Sequence, residues 1–381
     1  MVPEQRDVVF TFSTEQWADA VAREFCRPPD RMAQAVLTSP RVRRALVVEP
    51  WRSAPVALAR RAARRGRVVP PPGAPLVQPH RLARRDPVGV PALRRAYAAY
   101  GRRVRRAAAA EGLRQPAVLT CHPFVAAWAG LDDGGPVTYF ARDDWAAYPP
   151  HERWWPAYRT AYRDLSDRGV RVAAVSPELL DRVGPRAAGI VVPNAVDADL
   201  WRTPGPAPAA VAALPSPRYA YAGTLDDRLD VEAVRALAGS LEEGVVVLVG
   251  PVPRPEDLAA LRGLDRVHVL PPMGQAELVA ALAAADVALI PHRVTPLTRA
   301  MSPLKLYEYL AAGLPVATVD VVPATPFEDR LVRYAGADGL PGAARRALAL
   351  GRAPDDERRA ALRGNSWADR QEAVLDLVLA P

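Results

Sequence analysis

The sequence contains little of several residue types on which whole classes of protein depend. Two cysteines, Cys26 and Cys121, in 381 residues make a disulfide framework or a cysteine-based metal site implausible, and we expect both thiols to be buried. No stretch approaches the roughly 18 uninterrupted apolar residues of a membrane span. The amino terminus has neither the basic end nor the apolar core of a secretory signal. We therefore expect a cytoplasmic protein and exclude secreted, membrane-spanning and zinc-finger classes.

Lysine is also almost absent, because Lys305 is the single lysine among 50 basic residues. The basic excess is uneven: residues 1–200 carry a net charge of +11 and residues 201–381 a net charge of −3. Residues 41–114 alone hold 19 arginines against three acids. A coding preference for arginine accounts for the residue type but not for the asymmetry. The two halves are therefore expected to face different partners, or one half faces an anion.

Short apolar runs rich in β-branched residues alternate with Ala/Leu/Arg-rich stretches, a pattern typical of α/β layers with parallel sheets. Strands are predicted over residues 7–12, 44–49, 117–121, 136–141, 170–176, 189–193, 218–223, 243–250, 266–270, 286–291 and 314–320. Helices are predicted over residues 91–112, 231–241 and 275–285, and from Asn365 with Ser366 as its cap.

The segment TPGPAPAAVAALPSP, residues 203–217, has five prolines and predicts a semi-rigid surface linker. We therefore predict a first domain over residues 1–202 and a second over 218–364. Residues 365–381 are expected to form a terminal helix that packs back on the first domain. Two parallel α/β domains facing each other would place the carboxyl ends of their strands around a ligand-binding cleft.

The segment TRAMSPLKLYEYLAAGLPV, residues 298–316, lies between two predicted strands and is predicted to be a crossover helix. Ser302 is a preferred N-cap residue and Pro303 a preferred first helical residue. The free backbone N–H groups and the positive dipole end of such a helix suit a diphosphate. Lys305 would lie in the first turn, and Glu308 one turn later, where it could accept two hydrogen bonds from a ribose diol. A surface lysine and a solvated glutamate are the alternatives.

The segment SPLKLYEYLAAGLPV resembles the nucleotide-sugar-binding helix of GT-B glycosyltransferases, specifically the large retaining, family 4-like group and its teichuronic-acid-biosynthesis-type branch. Other segments agree in order: CHPF (121–124), YFARDDW (139–145), VAAVSPELL (172–180), VPNAVD (192–197), YAGTLDDR (221–228), ADVALIP (285–291) and NSWADR (365–370). The resemblance covers residues 117–370 well and the first hundred poorly. It implies an α/β protein of GT-B fold, with two Rossmann-like domains facing each other across a cleft.

The resemblance implies roles for residues of the second domain. Glu308 matches the second glutamate of a pair that holds the nucleotide ribose, and Lys305 lies near the donor pyrophosphate. Gly223 and Thr224 match a turn at which the backbone approaches the phosphates. Arg228 resembles the basic residue after that turn, which stabilises the leaving diphosphate. The helix start completes the predicted nucleotide-sugar site with Ser302, Pro303 and Leu304.

In the first domain, His122 matches a histidine near the transferred sugar, and a capping histidine is the alternative. Asp143, Asp144 and Trp145 fall on the acceptor side, where capping and loop structure would explain the two acids as well as chemistry does. Their spacing from His122 does not fit a set of metal ligands. The resemblance implies no metal and no cofactor besides the donor nucleotide sugar.

Two departures from the resemblance stand out. Position 300, where the family usually has a glutamate that helps to hold the donor sugar, is Ala300, which leaves the sugar and the retaining stereochemistry open. The first loop, TFSTEQWADA (11–20), lacks the Gly-Gly turn that is common in the family.

Together these observations predict a metal-independent hexosyltransferase that moves a sugar from a nucleoside diphosphate to an acceptor hydroxyl in cell-envelope glycan or natural-product biosynthesis. The resemblance implies that the transfer retains the configuration of the sugar. A nucleotide-sugar 2-epimerase of the same fold and a non-catalytic sugar-nucleotide or membrane-surface binding protein are the alternatives. The base, the sugar and the oligomeric state are not identified.

The acceptor is either a small molecule or lipid-linked. The arginine-rich region would suit an anionic membrane surface, and hence a peripheral position at the inner membrane face. A neutral ring could instead stack on aromatic residues, for which the candidates are Trp145, Tyr148, Trp154 and Trp155. Nucleic acid is not expected, because no known binding module or interleaved aromatic pattern accompanies the high pI.

Overall fold

The computed structural model describes residues 5–62, 69–321 and 327–381. Its chain forms two compact units. The first unit comprises Met1–Pro193 together with Arg370–Pro381, and the second comprises Asn194–Asp369.

The first unit is built on a sheet whose neighbouring strands all pair in parallel. Its described strands are β1 (Arg6–Thr11), β2 (Val42–Val48), β3 (Arg52–Ser53), β4 (Leu76–Val77), β5 (His80–Arg81), β6 (Ala117–Thr120), β7 (Val137–Ala141), β8 (Arg171–Ala174) and β9 (Gly189–Val191). The strand order is β4-β2-β1-β6-β7-β8-β9, and β3 pairs separately with β5. Its helices are α1 (Trp17–Ala22), α2 (Pro28–Thr38), α3 (Ala54–Ala62), α4 (Val90–Ala110), α5 (Pro123–Trp128), α6 (Trp155–Asp167) and α7 (Pro177–Val183), with a 3-10 turn at Pro149–Trp154.

The second unit has another parallel sheet, in the order β12-β11-β10-β13-β14-β15. Its described strands are β10 (Arg218–Ala222), β11 (Val245–Val249), β12 (Val267–Leu270), β13 (Val287–Ile290), β14 (Val316–Val319) and β15 (Leu331–Tyr334). The helices are α8 (Ala209–Ala212), α9 (Val231–Ser240), α10 (Gln275–Ala283), α11 (Pro296–Arg299), α12 (Leu304–Ala311), α13 (Leu340–Leu350), α14 (Asp355–Leu362) and α15 (Trp367–Leu379), with 3-10 turns at Pro255–Leu261, Glu328–Arg330 and Ala337–Gly339.

The hydrophobic pattern explains why these elements form. Every residue of β11 is buried, as expected for a central parallel strand covered on both faces. Helix α4 buries a stripe formed by Leu93, Tyr97, Tyr100 and Val104. Gly101 lies on the same face, and a Cβ there would stand 1.7 Å from the Ala129 carbonyl oxygen, so only glycine permits this close approach.

Each predicted strand is present within a few residues of its expected position. The structure adds strands that were not predicted: β15 and the two-residue β3, β4 and β5. Three of these are too short to produce a periodic pattern, and β15 carries a charged residue, Arg333, within its four positions.

The boundary between the two units does not lie where the sequence predicted it. The expected linker, residues 203–217, belongs to the second unit, and the change of unit falls between Pro193 and Asn194. The proline-rich segment folds against its neighbours because it contains α8, whose Val211 is buried. The Arg218 guanidinium also donates to the Leu214 carbonyl at 2.7 and 2.9 Å.

The chain returns to the first unit through α15. Ser366 caps this helix as predicted, because its hydroxyl accepts a hydrogen bond from the Asp369 N–H at 3.2 Å. Beyond residue 369 the chain lies in the first unit, where Glu372 and Asp376 both form ion pairs with Arg41 at 2.6 Å.

The two cysteines differ in burial. Cys121 is fully buried as expected, and burial raises the pKa of its thiol. The expectation was wrong for Cys26, which is partly exposed because it lies in the turn between α1 and α2. No helix in the described part of the chain is both long enough and apolar enough to cross a bilayer.

Candidate functional site

The predicted crossover helix is two helices. Residues 298–316 include the end of α11 and the whole of α12, with an extended segment between them. The N-cap of α12 is Pro303, and Ser302 is not the cap. The backbone of Pro303 is extended, with ψ 116°, so the helix begins at Leu304, one residue later than predicted. The Ser302 hydroxyl instead accepts a hydrogen bond from the Asn194 N–H at 3.2 Å.

Helix α12 is fixed against the central strand of its sheet. The buried Tyr309 hydroxyl accepts a hydrogen bond from the backbone N–H of Ala222, the last residue of β10, at 2.8 Å. The first turn of α12 thereby meets the turn that follows β10. The first backbone N–H groups of a helix have no partner within the helix, and they lie at the positive end of its dipole. In α12 this end lies at the edge of the sheet where β10 ends.

Lys305 connects the helix start to that turn. Its Nζ lies 3.8 Å from the centroid of the Tyr221 ring and 3.2 Å from Nε2 of His292. A Cβ on Gly223 would stand 3.0 Å from the same Nζ. Gly223 has φ +144°, and its carbonyl oxygen would be only 2.0 Å from a Cβ on Gly250, so the close approach requires glycine at both positions.

The charges in this cluster are poorly compensated. Burial lowers the pKa of Lys305 well below its ordinary value, and Arg228 lowers it further. Burial and the nearby Lys305 and Arg228 also hold the pKa of His292 well below its usual range. Burial raises the pKa of Glu308 to about 7 although Lys305 opposes the shift. A bound anion would stabilise the charged form of the two basic groups.

Arg228 is held beside the cluster by Asp226. Its Nε and Nη2 lie 2.9 and 2.7 Å from the two carboxylate oxygens, and its backbone N–H donates to the same carboxylate at 3.1 Å. Burial opposes ionisation of Asp226, but the bonds from Arg228 prevail and lower its pKa. The neighbouring Thr224 carbonyl accepts a hydrogen bond from the Tyr221 hydroxyl at 3.2 Å.

The structure therefore gathers the second-unit residues that the sequence singled out: Gly223, Thr224, Arg228, Ser302, Pro303, Leu304, Lys305 and Glu308. Sequence reasoning missed His292 and Tyr221. His292 follows β13 by two residues, and β13 lies beside β10 in the sheet. Parallel neighbours end at the same edge, so a histidine directly after the strand DVALIP was the available signal.

Position 300 has no acidic side chain. Ala300 is fully buried at the C-cap of α11, and its N–H donates to the Leu297 carbonyl at 3.1 Å. The carboxylate that the resemblance places here thus has no counterpart at this residue.

In the first unit, His122 caps α5. Its Nδ1 accepts a hydrogen bond from the Phe124 N–H at 3.1 Å, which assigns the ring proton to Nε2. Nε2 lies 3.1 Å from the Tyr97 hydroxyl, which donates to Asp86 at 2.9 Å. Burial lowers the pKa of His122 to about 4 although Asp86 opposes the shift. Both ring nitrogens of His122 therefore have hydrogen-bond partners within the first unit, which favours the alternative that His122 is a capping histidine.

The predicted acceptor-side acids also have structural partners. The buried Asp144 carboxylate accepts from the Ala146 N–H at 3.0 Å and pairs with Arg182 at 2.5 Å. Asp143 lies 3.4 Å from Nε of Arg142. Trp145 is 3% exposed and stacks on the His122 ring at a centroid distance of 5.6 Å. Loop capping thus accounts for the contacts of Asp144.

Across the described ranges, histidine, cysteine and acidic side chains form no group of three or more that could hold a metal ion. We therefore name no residue as a metal ligand.

Comparison with known proteins shows what this part of the chain is similar to. Residues 217–348 match the family model described as "Glycosyl transferases group 1". This range includes β10 to β15 and every second-unit residue of the site. Most of the second unit is therefore similar to a group 1 glycosyltransferase domain. No curated protein matches the chain.

Solved structures match both units of the chain. Sucrose-phosphate synthase from Thermosynechococcus elongatus has a TM-score of 0.64 at 15% identity, over 98% of each chain. The α,α-trehalose 6-phosphate synthase from Burkholderia multivorans has a TM-score of 0.67 at 14% identity, over 99% of this chain and 98% of its own. HepE from Anabaena, solved with UDP-glucose, has a TM-score of 0.59 at 15% identity, over 98% of this chain and all of its own. The predicted GT-B fold is confirmed.

Proposed function

We propose that the protein transfers a sugar from a nucleoside-diphosphate sugar to an acceptor hydroxyl, with retention of configuration and without a resident metal or cofactor. The observation that carries this proposal is the position of Lys305, whose Nζ lies in the first turn of α12 beside the glycine turn after β10. The HepE structure, solved with UDP-glucose, supports a nucleotide sugar as the donor. The family 4-like branch is proposed on the segment SPLKLYEYLAAGLPV.

The diphosphate would bind between the start of α12 and Gly223. Backbone N–H groups at a helix start bind anions well, and an ammonium adds a compact point charge that an arginine fork does not match. Glu308 lies three residues after Lys305 and therefore on the same helix face. Within the described part of the chain its carboxylate accepts no hydrogen bond, so it is available to a ribose diol.

The chemical step would be driven by stabilisation of the leaving group. The bond between the anomeric carbon and the diphosphate oxygen breaks, and the acceptor oxygen bonds to the same carbon on the same face of the sugar. The acceptor proton goes to the departing phosphate oxygen, so no protein base is required. Lys305 and Arg228 would stabilise the charge that develops on the diphosphate.

Thermal unfolding in the presence of UDP, GDP or TDP tests the donor site. A ligand present at 100 times its dissociation constant stabilises the protein that binds it by about 2.7 kcal/mol. We expect one of the three to raise the melting temperature of the wild type and not of Lys305→Met. No stabilisation by any of them would contradict the proposal.

Turnover of the matching nucleotide sugar then separates the three activities. Release of the diphosphate that requires an acceptor alcohol supports the transferase. Isomerisation without an acceptor would show the 2-epimerase, and binding without turnover a non-catalytic protein.

For the acceptor we propose an anionic or lipid-linked molecule at a membrane surface. The face of α4 opposite its buried stripe exposes Arg95, Arg102 and Arg106. Each basic residue near anionic lipid contributes about 1 kcal/mol. The alternative is stacking of a neutral ring on the cluster of Trp145, Tyr148, Trp154 and Trp155. Trp145 is only 3% exposed, whereas the other three are partly exposed. Residues 64, 65 and 67, also arginines, lie outside the described residues.

Sedimentation with vesicles tests this surface. We expect binding to vesicles with anionic lipid that falls steeply as salt rises, and loss of most binding in the triple variant Arg95→Gln/Arg102→Gln/Arg106→Gln. The charge-matched control is Arg262→Gln/Arg345→Gln/Arg346→Gln, at exposed positions of the second unit. Equal and negligible binding to neutral and anionic vesicles would favour a soluble acceptor.

A further inference from the structure

His292 has an unusual position for a histidine. It is 2% exposed, and its Nε2 lies 3.2 Å from Nζ of Lys305. Its other ring nitrogen, Nδ1, is buried without a hydrogen-bond partner among the described residues. A buried polar atom without a partner costs free energy, so this arrangement needs an explanation.

The geometry restricts how many protons the two side chains can hold. Two cations 3.2 Å apart would repel strongly in a buried site, because the dielectric there is low. A contact at this distance is a hydrogen bond only if one nitrogen donates and the other accepts. An ammonium could donate to Nε2, but the imidazole proton would then lie on Nδ1 as a buried donor without an acceptor among the described residues. The other arrangement, in which a neutral imidazole donates its Nε2–H to the lone pair of a neutral amine, leaves Nδ1 without a proton.

The groups around Lys305 compensate an ammonium only in part. The Tyr221 ring on β10 covers the amine on one side, at 3.8 Å. Asp226 and Arg228, in the segment after β10, are paired with each other at 2.7 Å. Glu308, on α12 itself, is partly buried, and burial raises its pKa to about 7. The pKa values of Lys305 and His292, both lowered mainly by burial, agree with an uncharged pair.

We propose that His292 is a positioning residue for Lys305, holding its amine beside Gly223 as an uncharged pair, and that this pair takes up a proton when a diphosphate binds. This inference rests on the proposed function, because it requires the diphosphate to bind beside Lys305. The Nε2 proton of His292 passes to the amine, which becomes an ammonium, and a proton from solvent binds Nδ1, so that the imidazole stays neutral. The ammonium then donates to the phosphate oxygens, and neutral His292 remains on its other side.

Isothermal titration measures such proton uptake directly. The nucleoside diphosphate that binds among UDP, GDP and TDP is titrated at pH 8 in buffers of different ionisation enthalpy. At this pH the terminal phosphate, with a pKa of about 6, is already deprotonated and contributes little. We expect uptake of about half to one proton by the wild type. Uptake close to zero would overturn the inference.

Two substitutions separate positioning from packing. In His292→Gln the amide oxygen accepts a hydrogen bond from an ammonium, so Lys305 is already charged in the free protein. We expect proton uptake to fall by at least half while affinity stays within about threefold. In His292→Phe nothing holds the amine, and we expect affinity to fall about tenfold.

The same substitutions at His80, a partly exposed residue of β5 in the first unit, serve as the matched controls and should leave both quantities unchanged. Uptake that is unchanged in His292→Gln would also overturn the inference. Failure of all three nucleotides to bind the wild type would instead contradict the proposed function, so the two failures are distinguishable.

Discussion

The carboxyl ends of the two parallel sheets carry polar clusters that differ in how fully the protein satisfies them. In the first unit, both nitrogens of His122 have partners, and Asp144 is held by a backbone N–H and by Arg182. In the second unit, Nδ1 of His292 has no partner among the described residues. The amine of Lys305 is desolvated, and burial lowers its pKa.

This difference separates structural from ligand-binding groups. Buried polar atoms cost free energy unless they are hydrogen-bonded, and a protein tolerates the cost where a ligand later offsets it. We therefore assign the first cluster chiefly to loop and helix capping, and the second to an anionic ligand. The substitutions below test the assignment, beginning with the largest expected effect.

Lys305→Met should have the largest effect on activity. Loss of the ammonium removes the charge that stabilises the leaving diphosphate, and we expect kcat/KM to fall about 100-fold, equivalent to about 2.7 kcal/mol. Lys305→Arg should lower activity at least tenfold, because the planar fork does not fit the space between Gly223 and the Tyr221 ring. Steady-state kinetics with a nucleotide sugar and an acceptor alcohol measures both, and normal turnover by the arginine variant would refute the point-charge argument.

Glu308→Gln should weaken binding of the nucleoside diphosphate about tenfold while the fold stays intact, because a charge-assisted hydrogen bond to the ribose becomes a neutral one. Calorimetric titration measures the change, and unchanged affinity for each nucleotide would contradict the assignment.

The pH dependence sharpens the same prediction. Burial raises the pKa of Glu308 to about 7, so the carboxylate and the affinity that depends on it should be lost as pH falls through 7. The stability of the free protein depends on pH in the opposite direction. The stabilising contribution of the protonated form is complete below about 4.5 and is lost as pH rises through 7. Both pH dependences should flatten in the glutamine variant.

Much of the fold could be predicted from the sequence, because parallel strands buried on both faces leave apolar runs that are easy to recognise. The runs that became β10, β11 and β13 illustrate this. The division into units was harder to predict. Proline content indicated a linker at 203–217, but burial of Val211 and the bonds of Arg218 attach this segment to the second unit.

The site was predicted where one segment carries several residues, and less well where it depends on distant ones. Lys305 and Glu308 could be recognised within a single helix. Two contacts could not be predicted from the sequence because they join residues far apart in it. The Asn194 N–H donates to the Ser302 hydroxyl, 108 positions away, and His292 approaches Lys305, 13 positions away.

Asp144→Asn should affect stability and spare the donor site. The amide can still accept from the Ala146 N–H, but it loses the ion pair with Arg182. We expect a loss of about 2 kcal/mol in the free energy of unfolding, with nucleotide affinity unchanged. Urea denaturation and calorimetric titration measure the two quantities, and a tenfold loss of nucleotide affinity without destabilisation would contradict a structural role.

His122→Asn should have the smallest effect near neutral pH and a clear one in acid. Asparagine is a good N-cap, so we expect the free energy of unfolding at pH 7.5 to change by less than about 1 kcal/mol. Burial lowers the pKa of His122 from an ordinary 6.5 to about 4, so its contribution to stability is complete above 6.5 and is lost as pH falls toward 4. The variant should lose stability less steeply over this range in urea titrations at several pH values. His151, whose pKa burial also lowers, will retain part of the slope. An acid profile identical to that of the wild type would show that His122 is not the buried neutral cap that its contacts describe.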